Sequence, residues 1–214
     1  MKAVKILMCF LLTTQLVIAG VVNGDFSSNL ANWENLNVTV PSGEAKLGDS
    51  SGLDSRLLQG VGLSAGQYVL EFDFLDQLSG NVPSGSFFDT FFASLYFSND
   101  INQFDLDNGV FDDVLPLFDL DAGGPVLYQG SIGSSSLGNG WLHYSSVFTN
   151  TFNYAIPTFE LFNLNSIDND SSVLIDNVVI TAVPASTVPE PATLTLLIAA
   201  LSAGRKRARK KSRQ

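Results

Sequence analysis

The chain has one cysteine, Cys9, and one histidine, His143, in 214 residues. A lone thiol makes no internal disulfide. Because Cys9 sits in the apolar N-terminal run, the segment beyond it has no Cys nucleophile and no thiolate metal site. Stability there must come from burial or from bound ions. Basic residues are scarcer still where they would matter. Of the 11 Lys and Arg, Lys2 and Lys5 open the chain and seven crowd the last ten residues, leaving only Lys46 and Arg56 for residues 20–187. Against these two stand 20 of the 21 acidic side chains, a net charge of −18 for that body, where the whole chain carries −10. Such a surface repels nucleic acid and anionic lipid, which excludes nucleic-acid binding. It favours hard, oxygen-liganded cations such as calcium, or else serves as a solvated coat. Also missing is any convincing helical period between Val21 and Val183. A Ser-His-Asp arrangement would have to use His143, and no Gly-x-Ser-x-Gly elbow precedes a helix. Paired carboxylates for glycoside hydrolysis stay open, so a hydrolase is the least favoured reading and a non-catalytic protein the expected one.

The two ends carry addresses. Met1-Lys2-Ala3-Val4-Lys5 is a basic start, and Ile6 to Ile18 is apolar apart from Thr13, Thr14 and Gln15. Val17-Ile18-Ala19 ends that run with a small-residue pattern, which predicts a secretory signal peptide over 1–19. A lipoprotein signal would place a cysteine after the cut, where Gly20 and Val21 stand. At the other end a linker, 184–191, carries Val188-Pro189-Glu190-Pro191. An apolar segment, 192–204, follows, and then the basic tail 205–214, opened by Arg205-Lys206-Arg207. A helix from Glu190 to Gly204 would reach about 22 Å at a rise of roughly 1.5 Å per residue, short of a hydrocarbon core of about 30 Å. The Lys and Arg cluster would hold the tail on the cytoplasmic side. Pro-Glu-Pro, apolar run and Arg-rich end resemble the PEP-CTERM sorting signal of Gram-negative bacteria. That resemblance implies processing by an exosortase, transient anchoring in the inner membrane, delivery to the cell surface or extracellular matrix, and a link to exopolysaccharide and biofilm.

Between the ends, residues 20–183 read as one all-β domain. Tyr68 to Phe74 alternates, with Tyr68, Leu70, Phe72 and Phe74 on one face of a strand. Phe91 to Phe97 is apolar on both faces and so belongs in the middle of a sheet. Trp141 to Thr149 alternates with Leu142, Tyr144, Ser146 and Phe148 on one side. Thr158–Phe162 and Val173–Thr181 complete the set. Turn residues separate these segments at Ser79–Gly85 and Gly133–Gly140. Many strands at short spacing predict a single antiparallel β-sandwich.

A second resemblance covers most of this body. Asn23-Gly24-Asp25-Phe26 with Trp33 is similar to the opening of galactose-binding-like jelly rolls, the fold of many carbohydrate-binding modules. Leu58-Gln59 with Ala65 to Asp73, Trp141 with Tyr144, and Ile175-Asp176-Asn177-Val178 resemble the later strands of that fold in the same order. The resemblance implies that the first and last strands meet and that a structural calcium sits there. Asp25 and Asp176, with Glu44 and carbonyls near Asn23, are the expected ligands, since calcium accepts irregular oxygen sets. The alternative for Asp25 is a turn residue capping its own backbone. Sugar recognition needs aromatic faces and planar polar groups. Tyr96 and Tyr128 are the better candidates for an exposed platform; Trp33 and Trp141 are further candidates that stand where the family packs its core.

The acid-rich stretch from Asp100 to Asp121 invites a metal reading. Asp105-Leu106-Asp107-Asn108-Gly109 and Asp119-Leu120-Asp121-Ala122-Gly123-Gly124 both lack the ligand spacing of an EF-hand loop. An insertion folded over one end of the sandwich is expected instead. The reading as a whole is an exported, exosortase-sorted surface or matrix protein, associated with extracellular polysaccharide and either binding glycan or simply populating that layer. Its alternative is a structural or adhesive protein bridged by calcium without sugar recognition.

Overall fold

A computed structural model of the chain describes residues 20–48, 54–79, 87–121, 123–163 and 171–184. The expected signal peptide, Pro-Glu-Pro motif, apolar segment and basic tail all fall outside the described residues. Thirteen strands run β1 (Glu34–Leu36), β2 (Val38–Thr39), β3 (Ala45–Leu47), β4 (Asp54–Leu58), β5 (Val61–Gly62), β6 (Gly66–Gln77) and β7 (Thr90–Ser98). They continue through β8 (Asp113–Asp121), β9 (Gly124–Leu127), β10 (Ser131–Ser134), β11 (Leu142–Asn150), β12 (Tyr154–Phe162) and β13 (Ser172–Ala182). Among the described residues none is helical, and no helix is long and apolar enough to cross a membrane.

The strands make two antiparallel sheets. One is ordered β1-β4-β12-β7-β8-β9, with β5 also on β12; the other is β10-β11-β6-β13-β3-β2. The chain changes sheet between β1 and β2, β3 and β4, β5 and β6, β6 and β7, β9 and β10, β11 and β12, and β12 and β13. This is the crossing habit of a jelly roll, and the architecture is the expected β-sandwich. Described residues up to Val183 lie in one compact unit.

Period-two patterning decides which faces meet. Leu70, Phe72 and Phe74 on β6 are each 0% exposed, and they face Phe91, Leu95, Phe159 and Leu161 of the other sheet, all at 1% or less. Phe72 lies 4.8 Å from Phe159 edge-on, 4.9 Å from Tyr144 and 6.1 Å from Phe118. Tyr144 is fully buried, with its hydroxyl donating to the carbonyl of Gln129 at 2.7 Å. Burial pushes that phenol up to about 12. β7 lies between β12 and β8, as its two-sided apolar pattern requires.

The N-terminal segment is tied to the sandwich by polar side chains. Asn23, at φ 57°, accepts from Ser28 N through Oδ1 and donates through Nδ2 to the carbonyls of Asn29 and Ala31. Its own carbonyl takes Trp33 Nε1 at 3.1 Å, while Phe26 and Trp33 stack into the core 5.3 Å apart. Gln59, 5% exposed, takes Val22 N at 2.7 Å and donates to Val22 O and Asn32 O. Gly24 O accepts from Val178 N at 2.9 Å, so the opening segment does lie against the last strand. A Cβ at Gly24 would run into the carbonyl oxygen of Val178.

One expectation needs correcting. The stretch Asp100–Asp121 is not a single loop, because residues from Asp113 onward form β8. Its alternation is broken by Pro116 and by a register shift opposite Ala93/Ser94. A proline at a bulge costs no ladder hydrogen bond, but it hides the strand from pattern reading. Only residues 99–112 form the packed loop, with Phe104 and Phe111 laid edge-on against Tyr96 at 6.1 and 4.8 Å.

Gly48 shows where backbone geometry is tight. It has φ +88°, and a Cβ there would meet the carbonyl oxygen of Ser171 and, at 2.7 Å, Leu161. Gly48→Ala is expected to lower stability by more than about 1 kcal/mol in urea denaturation, since positive φ and steric overlap both oppose the methyl.

Candidate functional site

Two surfaces carry the candidate side chains. The first is the solvent face of the β1-β4-β12-β7-β8-β9 sheet. Register places Leu36, Arg56, Glu160, Phe92, Asp119 and Val126 side by side in one row across all six strands. Phe92 meets Phe162 edge-to-face at 5.7 Å. Tyr128, just past β9, is 57% exposed, and its hydroxyl donates to Asp119 Oδ2 at 2.7 Å. That bond holds the phenol above its ordinary range and fixes the ring on the surface. On the other flank Arg56 Nε donates to Glu160 Oε1 at 3.1 Å, and Nη1 donates to Asp107 Oδ1 of the loop at 2.7 Å. Burial pushes the Glu160 carboxyl up against the pull of Arg56. Flat apolar rings beside fixed carboxylates and a guanidinium suit a ligand with apolar ring faces and a rim of hydroxyls.

Tyr128 is therefore exposed as expected. Tyr96 is not a platform: it is half-buried beneath Phe104 and Phe111, so its rings spend their contacts on packing. Trp33 is also corrected. At 5% exposure, with Phe26 at 5.3 Å and Phe159 at 6.4 Å, it belongs to the core. Trp141 is half-buried just ahead of β11, away from this face. Pattern reading missed Phe92, Phe162, Asp119 and the Arg56–Glu160 pair. The available signal was the outward half of the apolar run Phe91–Phe97, which cannot be sorted into faces without knowing what covers it.

The second surface is the solvent face of the other sheet. Asp73 and Asp176 are cross-strand neighbours, and Asp73 is only 6% exposed although it points outward. Its Oδ1 lies 2.8 Å from His143 Nδ1, and its Oδ2 takes Asn177 Nδ2 at 3.0 Å. His143 Nε2 faces Glu71 Oε1 at 3.6 Å, a carboxylate and not a nucleophilic hydroxyl. Asp176 is half-buried, and its carboxyl is raised to about 6, first by burial and then by the negative charges of Glu44, Asp73 and Asp25. Glu44 Oε2 is buried with no hydrogen-bond partner. Asp25 turns onto its own loop, accepting from Ser27 N at 3.3 Å and Ser27 Oγ at 2.9 Å, which lowers its pKa. Asp25, Glu44 and Asp176 are thus brought within electrostatic reach of one another. Among the described residues, however, no three His, Asp or Glu side chains already converge in a metal-binding group. In the loop, Asp105 is spent on Asn108, at 3.1 Å to its N and 2.7 Å to its Nδ2, as a turn cap.

No protein-family model matches this chain, and no curated protein matches it. Solved structures similar to it include TmCBM61 in complex with β-1,4-galactotriose, at 12% identity and TM-score 0.45, covering 76% of this chain and 97% of that one. The CBM22-1-CBM22-2 tandem domain from Paenibacillus barcinonensis Xyn10C aligns at 13% identity and TM-score 0.45, over 74% of this chain and 49% of that one. A CBM4 structure aligns at 14% identity and TM-score 0.42, over 76% and 99%. At such identities and TM-scores the likeness transfers neither a ligand nor a site.

Proposed function

We propose that the sandwich is a non-catalytic polysaccharide-binding module, and that it uses the solvent face built around Tyr128 and Asp119. The observation that carries this reading is an exposed aromatic ring fixed by a carboxylate, in line with Phe92, Phe162 and Arg56–Glu160. Such a surface offers stacking and directional hydrogen bonds together. The order of segments in residues 1–19 and 184–214 supports export, exosortase sorting through Val188-Pro189-Glu190-Pro191, and residence at the cell surface or in the matrix of a Gram-negative bacterium. Under this reading the polysaccharide is extracellular. The test is native gel electrophoresis in soluble galactan, xylan and glucan. Retardation by at least one polymer is expected, and Tyr128→Ala should weaken it about tenfold, near 1.4 kcal/mol, with an unchanged melting temperature. Undiminished binding by the Tyr128→Ala, Asp119→Ala double variant would remove this face from the account.

A second reading concerns calcium, favoured by the orphaned Glu44 Oε2 and by the like charges around Asp176. The donor set is all oxygen, which fits calcium. Asp176 and Glu44 would hold the ion, with Asp25 swinging from its Ser27 cap. Bound there, the ion would neutralise the repulsion between acids of the opening segment, of the turn before β3, of β6 and of β13. A calcium-bridged adhesive protein without sugar recognition rests on the same acids, and calcium-dependent self-association would single it out.

A further inference from the structure

The outer strands of the two sheets are β1, β9, β10 and β2. Unpaired backbone at a sheet edge invites another strand, and proteins blunt it with charge, proline or a very short strand. Three of these edges are blunted. β1 opens on Glu34, β9 carries Pro125, and β2 is Val38–Thr39 alone, with Pro41 close behind. β10 has neither charge nor proline, and its register with β11 runs without a bulge. Ser135 N donates to Trp141 O, so alternation turns the backbone of Ser131 and Gly133 towards β11. The N–H and C=O of Ile132 and Ser134 therefore face away from it. Among the described residues no strand lies beyond them. The surroundings are as unusual in a body of net charge −18. Between Asp121 and Glu160 the chain has no Asp, Glu, Lys or Arg, so β9, β10 and β11 carry no charge beyond what His143 takes up. Val126, Leu127, Tyr128 and Leu137 of that stretch are all exposed.

We infer that β10 is a self-association edge, occupied by β10 of a second copy running antiparallel about a two-fold axis at Gly133. In that register Ile132 exchanges both backbone bonds with Ser134 of the second copy, and Ser134 with its Ile132. The edge is thus complementary to itself, as a two-fold interface requires. The two Gly133 residues meet on the axis as a non-hydrogen-bonded pair, where chains come closest. A Cβ at Gly133 would touch nothing within 4 Å, so packing within one copy does not call for glycine there. Charge favours the same place. Acid-rich surfaces of two copies repel, but here the nearest acids of this sheet lie on β6, behind β11. Five strand spacings of about 4.8 Å would hold the two β6 strands about 24 Å apart. That is well beyond the Debye length of about 8 Å at physiological ionic strength. The axis stands perpendicular to the sheet, so both Tyr128–Asp119 faces would look the same way and grip one polymer twice. That consequence rests on the polysaccharide reading; the dimer does not.

The test is sedimentation velocity of the full chain from micromolar to millimolar concentration. A concentration-dependent dimer is expected, stronger at about 0.15 M than at about 0.01 M ionic strength, where repulsion reaches about 30 Å. Gly133→Glu and Gly133→Lys each set like charges face to face on the axis. Both should abolish the dimer with the melting temperature unchanged. Val179→Glu charges the same sheet with β11 and β6 in between, and should leave the dimer intact. Amide exchange at Ile132 and Ser134 should slow as concentration rises. A chain that stays monomeric overturns the inference, and so does a dimer that survives both Gly133 variants. Strengthening by Gly133→Lys overturns it too, for net charge and not strand pairing then governs association. Protection of Ile132 and Ser134 at every concentration would mean that a single copy covers its own edge. Dimers in which those amides still exchange freely would be using another surface; either result refutes the pairing. Should a Gly133 variant not fold, the concentration dependence of exchange at these two amides in the unaltered chain decides. Failure of every polysaccharide to bind would leave all these readouts standing, so the two readings fail separately.

Discussion

Phe72→Ala is expected to destabilise the domain by about 3–5 kcal/mol, the cost of emptying a fully packed aromatic position. For a body of this size that is a fall in melting temperature of roughly 6–20 °C. Phe72 is the place to look because its ring is shared by both sheets. It lies 4.8 Å from Phe159 and 6.1 Å from Phe118 across the interior, and 4.9 Å from Tyr144 and 6.1 Å from Phe74 on its own sheet. Rigid rings close poorly around a hole, so little of the loss is recovered by relaxation. Val147, on the opposite face of the same sheet and 52% exposed, supplies the control. Val147→Ala should stay within about 0.5 kcal/mol. Urea denaturation in chelator separates the two. Equal effects would mean that the sheets do not share this core.

Asp176→Asn should change stability with opposite sign depending on calcium. The folded-state carboxyl is raised to about 6 from an ordinary 3.8. Between those values the folded chain keeps a proton that the unfolded chain has released. Stability contributed by this group is therefore full at low pH, falls as pH rises through that window, and is lost above about 6. In chelator at pH 7, Asp176→Asn removes the repulsion with Glu44, Asp73 and Asp25 and should raise the melting temperature; below pH 4 it should do almost nothing. In calcium the unaltered chain should gain about 2.7 kcal/mol at a hundredfold excess over Kd, roughly 5–10 °C here, and the variant should lose most of that gain. The check is a pair of melting curves across pH 4–8, one in calcium and one in chelator. A variant that is destabilised in chelator at pH 7 would show Asp176 acting through its hydrogen bonds and not through charge.

The two predictions mark how far pattern reading reaches. β6 and β11 were legible because their in-out alternation is unbroken, so Phe72 and Tyr144 could be placed inside before any coordinates. β13 was legible for its apolar side, and the fragments Asn23-Gly24-Asp25-Phe26 and Leu58-Gln59 turn out to have physical reasons: Asn23 folds the opening turn and Gln59 ties it down. β8 was lost because Pro116 and a bulge disturb its period. The solvent face carrying Tyr128 could not be read, because Phe92 and Phe162 look like core residues in any one-dimensional pattern. Only their register against Glu160, Asp119 and Thr90 shows which side they occupy. Tyr96 is half-buried for a related reason, since the rings against it, Phe104 and Phe111, come from the loop 99–112.

The irregularity in β13 has a meaning beyond geometry. The register steps over Asn177 and Val178 between Asp176 and Val179, and Asn177, at φ 53°, turns outward while Ile175, Val178 and Ile180 stay inside. Two residues share one place in the ladder, so losing one of them restores a plain alternation and moves no apolar side chain to water. Position 177 is thus the one point in this strand where an ancestral insertion or deletion could have passed without disturbing the core. What such an event adds or removes is the outward amide that now holds Asp73 and the kink that brings Val178 N to Gly24. A change of a single codon there would leave the domain folded and retune the acid cluster beside its opening segment.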